Sequence, residues 1–230
     1  MENMQNQSEG SNFQITDHDI EKIITTAIEL HPQLRGLKIE TISDPGLMTL
    51  GFHRRPKNND EASVVYINLG VSSEKIFSER KTSVQQVARK LGISESQMTP
   101  RLLKIFIIAH ETGHAYDYSK FLSHYGSVEA ANKHWEEKRC SELNDLPIPG
   151  ITPPSVIKMH HNGSLAQYIT ENNLTSRLIS MGIDPNNLTQ IIERQQIGYK
   201  DTTAERDADE IAVQIMRKHS KTLGLDLDKW

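Results

Sequence analysis

The chain has almost no cysteine: Cys140 is the single one among 230 residues. A disulfide framework within the chain is thereby excluded, as is any zinc site built from thiolates, and a reducing compartment fits. Any metal must rest on oxygen and nitrogen donors. Long apolar runs are also missing. The longest strongly apolar stretch, Ile105 to Ala109, falls far short of the ~20 residues that a membrane helix needs. Nor do Met1 to Phe13 carry a basic start followed by an apolar segment, so the chain reads as cytoplasmic, neither secreted nor membrane-bound. An excess of positive charge is absent too. Lys plus Arg number 26 against 30 for Asp plus Glu, a net charge of −4, and such a surface has no general attraction for phosphate backbones or anionic lipid. Nucleic acid is not the default partner. Apolar residues make up only 36% and aromatic residues 6%, so the core is expected to be lean.

At about 150 residues per domain, this length suits one elaborated domain or a domain with a small partner. Residues 1–12 are rich in Asn, Gln and Ser and read as a disordered tail ahead of a domain over 13–230. Thr16 reads as the N-cap of a helix over about 17–30, with Ile20, Ile23, Ile24, Ala27 and Ile28 at helical spacing. Leu37 to Ile42, Leu47 to His53 around the turn Asp44-Pro45-Gly46, and Ser63 to Leu69 read as a small antiparallel sheet. From Glu79 onward the pattern is helical, broken by a Pro-rich stretch at Leu146 to Pro154 and by Asn-rich turns. The expected class is α+β, with a helical C-terminal half.

The most informative stretch is Leu102 to Tyr118, LLKIFIIAHETGHAYDY. Thr99 as N-cap and Pro100 as first helical residue start a long buried helix reaching about residue 120. On it His110 and His114 stand about 40° apart around the axis and about 6 Å apart along it, so both imidazoles reach one metal ion. Glu111 projects beside them, poorly placed to coordinate and well placed to take a proton from an activated water. Composition alone yields roughly 0.03 occurrences of H-E-x-x-H in such a chain. A packing role for two imidazoles and a carboxylate inside a strongly apolar helix would carry a solvation cost. Gly113 lowers helix stability by about 1 kcal/mol relative to Ala, which suggests that another element approaches this face closely.

A catalytic zinc takes three protein donors and leaves one position for water. The extended H-E-x-x-H-x-x-G-x-x-H pattern fails, because Asp117 and Lys120 stand where it requires Gly and His. A better donor lies in Thr203 to Ile215, where Ala204, Ala208, Ile211, Ala212 and Ile215 mark a helix core face flanked by Glu205 and Asp209. Glu205 suits the metal, and Asp209 suits the second nitrogen of a histidine, fixing its tautomer. Thr202 and Glu205 also match a T-x-x-E capping box, which would confine Glu205 to closing a helical turn. Glu171, Asp117 and the solvent-facing pair His160 and His161 are the competing donors. Asp117 could alternatively support His114 from one turn on.

The residues H-E-T-G-H at His110 to His114 resemble the H-E-x-G-H helix of gluzincin zinc metallopeptidases. E-R-D-A-D at Glu205 to Asp209 is similar to the E-x-x-A-D element of the membrane prenyl-protease and HtpX-type enzymes. The resemblance implies zinc bound by His110, His114 and Glu205, Glu111 as general base, Asp209 behind the ligands, and hydrolysis of a peptide or protein substrate. It also implies a zincin-like fold, with a small sheet above the active-site helix as in minigluzincins and ImmA/IrrE regulatory peptidases. In such a mechanism Ser63 to Leu69 is expected to be an edge strand that pairs with an extended substrate backbone. The long separation of His114 from Glu205 then marks a helical insertion at about 122–198. HETGHAYDY, with Tyr199 shortly before the third-ligand helix, is similar to lethal-factor-type metallopeptidases, which implies that Tyr199 assists the oxyanion. A tyrosine packing a helix start is the other explanation.

Two readings without turnover stand beside hydrolysis. Val84 to Met98, VQQVARKLGISESQM, has the A-x-x-x-G spacing of a helix-turn-helix through Ala88 and Gly92, as in a DNA-binding regulator. Pro100 leaves barely a turn for its second helix, and the overall charge is acidic. The other is a zinc-stabilised interaction domain.

Overall fold

Thr16 opens the first helix with a reciprocal cap: its hydroxyl accepts the Asp19 N–H at 3.2 Å, and the Asp19 carboxylate accepts the Thr16 N–H at 2.9 Å. The computed structural model describes residues 15–47, 49–71, 77 and 81–220. The tail expected at 1–12 lies outside the described residues. Nine α-helices lie among the described ones: α1 Asp17–Leu30, α2 Lys81–Leu91, α3 Pro100–Tyr125, α4 Val128–Asn144, α5 Pro153–His161, α6 Leu165–Glu171, α7 Thr175–Ser180, α8 Leu188–Lys200 and α9 Thr203–Lys218. The strands are β1 Lys38–Ile42, β2 Gly51–Arg54 and β3 Val64–Asn68. The class is α+β and mostly helical. Two compact units divide the chain, Met1–Ala131 with Asp207–Trp230 as one and Asn132–Arg206 as the other.

The sheet in the first unit is mixed, which corrects the antiparallel expectation. Its order is β1-β3-β2, with β1 parallel to β3 (Lys38 opposite Val64) and β2 antiparallel to it (Gly51 opposite Ile67). Parallel neighbours need a crossover between them, and the turn at Asp44-Pro45-Gly46 supplies part of one rather than closing a hairpin. The buried Asn68 side chain ends β3 and clasps this turn, accepting the Asp44 N–H at 3.0 Å and donating to the Asp44 and Leu47 carbonyls at 2.7 and 3.1 Å. The chain therefore passes across the end of β3 and returns on its far side. A Cβ at Gly70 would lie 2.6 Å from the Asp44 nitrogen, so only glycine lets the turn sit this close. The segment Ser63 to Leu69 is consequently not an edge. β3 is central, and β1 and β2 are the edges.

The sheet lies against α3. Thr99 caps α3 by accepting the Leu102 N–H at 3.1 Å, and Gly126 ends it at φ +73°. Val84 to Met98 holds α2, closed by Gly92 at φ +69°, and a 3-10 turn at Glu95–Gln97, not two α-helices. On the other side of α3 runs α9, whose Ala208, Ile211, Ala212, Ile215 and Met216 are buried. The close approach suggested by Gly113 is found here: a Cβ on Gly113 would stand 2.7 Å from the backbone of Ala208.

The second unit has its own core of Ile148, Val156, Leu165, Ile169, Leu178, Ile183 and Ile191. Its Pro-rich stretch is strapped down by Gln195, fully buried, which bonds both the N–H and the carbonyl of Ile148 and the carbonyl of Ile151. Without that side chain these backbone groups would be buried unpaired.

Candidate metal centre

His110 and His114 follow one another up the same side of α3, with ring centroids 4.6 Å apart and planes at 86°. Glu205 stands in the first turn of α9, a continuous helix whose later turns belong to the first unit. One nitrogen of each histidine and one Glu205 oxygen lie within 4.8 Å of one another, with His110 and Glu205 buried and His114 half-buried. A tetrahedral ion with bonds of about 2.0–2.1 Å holds its donors about 3.4 Å apart, so modest side-chain adjustment brings these three onto one centre. The group could hold a metal ion. Burial of Glu205 to 3% exposure also argues for positive charge beside it, since an unpaired carboxylate there would be costly.

Two of the three donors, His110 and Glu205, are held from behind. The His110 Nδ1 lies 2.7 Å from an Asp209 carboxylate oxygen, which leaves Nε2 as the nitrogen for a metal. The other Asp209 oxygen accepts from Lys90. The Glu205 Oε1 accepts from Arg139 at 3.1 Å and its Oε2 from Lys200 at 3.3 Å. Arg139 also donates to the Tyr199 hydroxyl, so Tyr199 shares a guanidinium with the carboxylate. The Thr202 hydroxyl donates to the Tyr199 carbonyl at 2.8 Å. Glu205 is thus held by two cations, Arg139 and Lys200.

Glu111 turns toward the sheet. Its Oε2 accepts the His53 N–H of β2 at 3.0 Å; a Cβ on the neighbouring Gly51 would crowd the Tyr66 carbonyl of β3 at 3.0 Å and meet the Glu111 Cγ at an ordinary contact distance of 3.5 Å. Burial, with smaller contributions from His114 and Arg55, pushes the His53 imidazole down to about 3. A neutral His53 adds no positive charge to repel a cation. Burial likewise raises the Tyr118 hydroxyl above its ordinary range, outweighing Arg55.

Of the competing donors, Glu171 is exposed and accepts from Gln167 at 2.7 Å, while His160 and His161 end α5. Asp117 is buried and pairs with Lys120 at 3.1 Å. Sequence reading missed Arg139, Lys90 and His53. Lone cations and a histidine in polar or alternating stretches carry no local signal; only their contacts single them out. No described helix is long and apolar enough to cross a membrane. No protein-family model, curated protein or solved structure matches the chain.

Proposed function

We propose that the chain is a zinc-dependent peptidase in which His110, His114 and Glu205 hold the ion and Glu111 is the general base. The observation that carries this reading is the convergence of the three donors with Glu111 next to them on the same helix. Two imidazoles and a carboxylate suit zinc and leave one coordination position open. A bound zinc ion would supply Lewis acidity, polarising a carbonyl and lowering the pKa of a water. Glu111 accepts the proton of the attacking water and returns it to the departing amine. Asp209 holds the His110 ring in one tautomer and raises its basicity. Tyr199 donates its phenol proton toward the oxyanion.

Strand β2 supports a peptide as substrate. Asn68 donates to the Leu50 carbonyl at 2.9 Å, and alternation along an antiparallel pair then turns the amide groups of Gly51 and His53 away from β3. The Gly51 carbonyl accepts the Thr49 hydroxyl at 2.7 Å, and the His53 N–H goes to Glu111. These two side chains cover an edge that an extended backbone can pair with. An incoming strand takes the place of Glu111 at the His53 N–H and releases the carboxylate for proton transfer.

Glu111→Gln is the test. It keeps size and hydrogen bonding but accepts no proton at neutral pH. The expected result is a folded protein that retains zinc and cleaves a responsive peptide at least about 10²-fold more slowly. Equal rates would remove Glu111 as the base. Zinc held tightly by parent and variant, with no cleavage over a broad peptide library, would favour the zinc-stabilised scaffold.

A further inference from the structure

Arg139 lies on α4 with only 15% of its side chain exposed. Its Nη2 donates to the Glu205 Oε1 at 3.1 Å and to the Tyr199 hydroxyl, its Nη1 donates to the Thr202 hydroxyl at 3.3 Å, and its guanidinium carbon lies 4.8 Å from the Tyr199 ring centroid. Trp135 flanks it at 6.0 Å. One rigid group therefore touches the third donor, the phenol proposed for the oxyanion, and the residue just before α9. Building on the peptidase reading, we propose that Arg139 is a positioning residue: it presents the Glu205 carboxylate to the metal and sets the Tyr199 phenol as a hydrogen-bond donor.

The donor inventory carries the second half of this statement. A guanidinium has no acceptor, so the Tyr199 oxygen must accept from it, and the phenol proton is directed away from Arg139. The phenol is thus defined as a donor before a substrate arrives. Because the guanidinium is planar and its fork rigid, the carboxylate and the phenol are also held at one separation.

The first half rests on the inequality of the two cations at Glu205. Lys200 reaches Oε2 at 3.3 Å with 43% of its side chain exposed, whereas Arg139 holds Oε1 from a mostly buried position. The lysine can swing into solvent at little cost, and Oε2 then becomes the oxygen for the ion. Oε1 stays with Arg139, giving a ligand supported from its far side.

Simple charge repulsion makes the opposite forecast for one of these residues. A cation beside a metal site opposes the ion, so on charge alone the loss of either Arg139 or Lys200 should tighten binding. Positioning requires that loss of Arg139 weaken it. Zinc affinity of the full chain, measured by chelator competition, separates the two for Arg139→Met, Arg139→Lys and Lys200→Met. Arg139→Met should bind zinc about 10–100-fold more weakly. Arg139→Lys, with the charge but not the fork, should fall between it and the parent, and Lys200→Met should bind as tightly as the parent or tighter. A second readout is kcat in a double-mutant cycle with Tyr199→Phe: removing Arg139 should lower kcat less once the phenol is gone. Arg139→Met binding zinc as tightly as the parent would overturn the proposal, and so would strictly additive effects on kcat. A parent that binds zinc but cleaves no peptide would overturn the peptidase reading alone, leaving the affinities to decide on Arg139. A parent with no zinc affinity overturns both.

Discussion

The two flanks of the candidate metal centre are built with opposite polarity. On one, a basic candidate donor, His110, leans on an acid, Asp209, which in turn meets Lys90. On the other, an acidic candidate donor, Glu205, leans on Arg139 and Lys200. In both, the innermost partner is largely buried and the lysine is partly exposed. The flanks differ in what fixes them. The histidine flank is pinned by backbone packing, where α3 and α9 meet at Gly113 and Ala208 with no room for a methyl group. The glutamate flank is fixed by long side chains at a helix start. Backbone packing yields a rigid ligand at the cost of tolerating no substitution, whereas side-chain support tolerates substitution and loses precision gradually.

The largest effect is expected from removing a ligand on either flank. His110→Ala and Glu205→Ala should each change a stoichiometrically loaded protein into one with almost no zinc by elemental analysis. Full zinc content in Glu205→Ala would return that residue to helix capping and dissolve the comparison. One layer back on the histidine flank, Asp209→Asn should retain the metal but bind it about 10–100-fold more weakly. An unchanged affinity would mean that Asp209 serves Lys90 and the fold rather than His110.

A smaller effect sharpens the contrast through its sign. In an isolated helix, replacing Gly113 by Ala would stabilise by about 1 kcal/mol. Against the Ala208 backbone the added Cβ must displace α9, and overpacking of this kind costs about 1–3 kcal/mol. A lower urea midpoint for Gly113→Ala is therefore expected; a higher one would show that the helices have slack.

The smallest effect lies away from both flanks. Burial, aided by Lys120 and opposed by a hydrogen bond with Gln214, holds the His31 imidazole below its ordinary range. Its ring packs on Tyr116 at 4.1 Å, and Lys120 itself pairs with Asp117 and Asp207. The unfolded chain takes up this proton first, with a pKa of about 6.5, so stability is fully present above that value and declines as pH falls below it. Asp19 has the same sign lower down: burial raises its carboxyl, but hydrogen bonds from Arg101 and Thr16 outweigh this and hold it below the carboxylate range. Its contribution is present above about 3.9 and is lost as pH falls through the folded value. Urea midpoints measured from near neutrality down to about pH 5 should fall less steeply in His31→Gln than in the parent. Parallel curves would assign the acid sensitivity to other groups.

What was legible in the sequence is what repeats locally. Thr16 and Thr99 as caps, the apolar spacing of α1 and α9, and two histidines four apart on one helix all follow from a period of 3.6 residues and from capping chemistry. Gly113 was readable for a related reason: a glycine inside a helix costs stability unless something needs the space. The strands were placed correctly within a few residues, but their order was not. β3 reads VVYIN, a nearly continuous apolar run with four of five residues buried, and such a run signals a central strand rather than an edge. The turn beside it looked like a hairpin because Asp-Pro-Gly favours a turn whichever strand follows.

By itself, then, the sequence determined the long helix, its caps, the spacing of His110, Glu111 and His114, and the amphipathic helix that carries Glu205 and Asp209, because each depends on neighbours within a turn or two. Only the tertiary structure decided which strand is exposed as an edge, that Glu111 rests on the His53 N–H of that edge, and that Arg139 and Lys200 divide the two oxygens of Glu205. These are contacts between residues far apart in the chain. No local pattern encodes them, since they follow from how whole elements pack rather than from the preferences of any one segment.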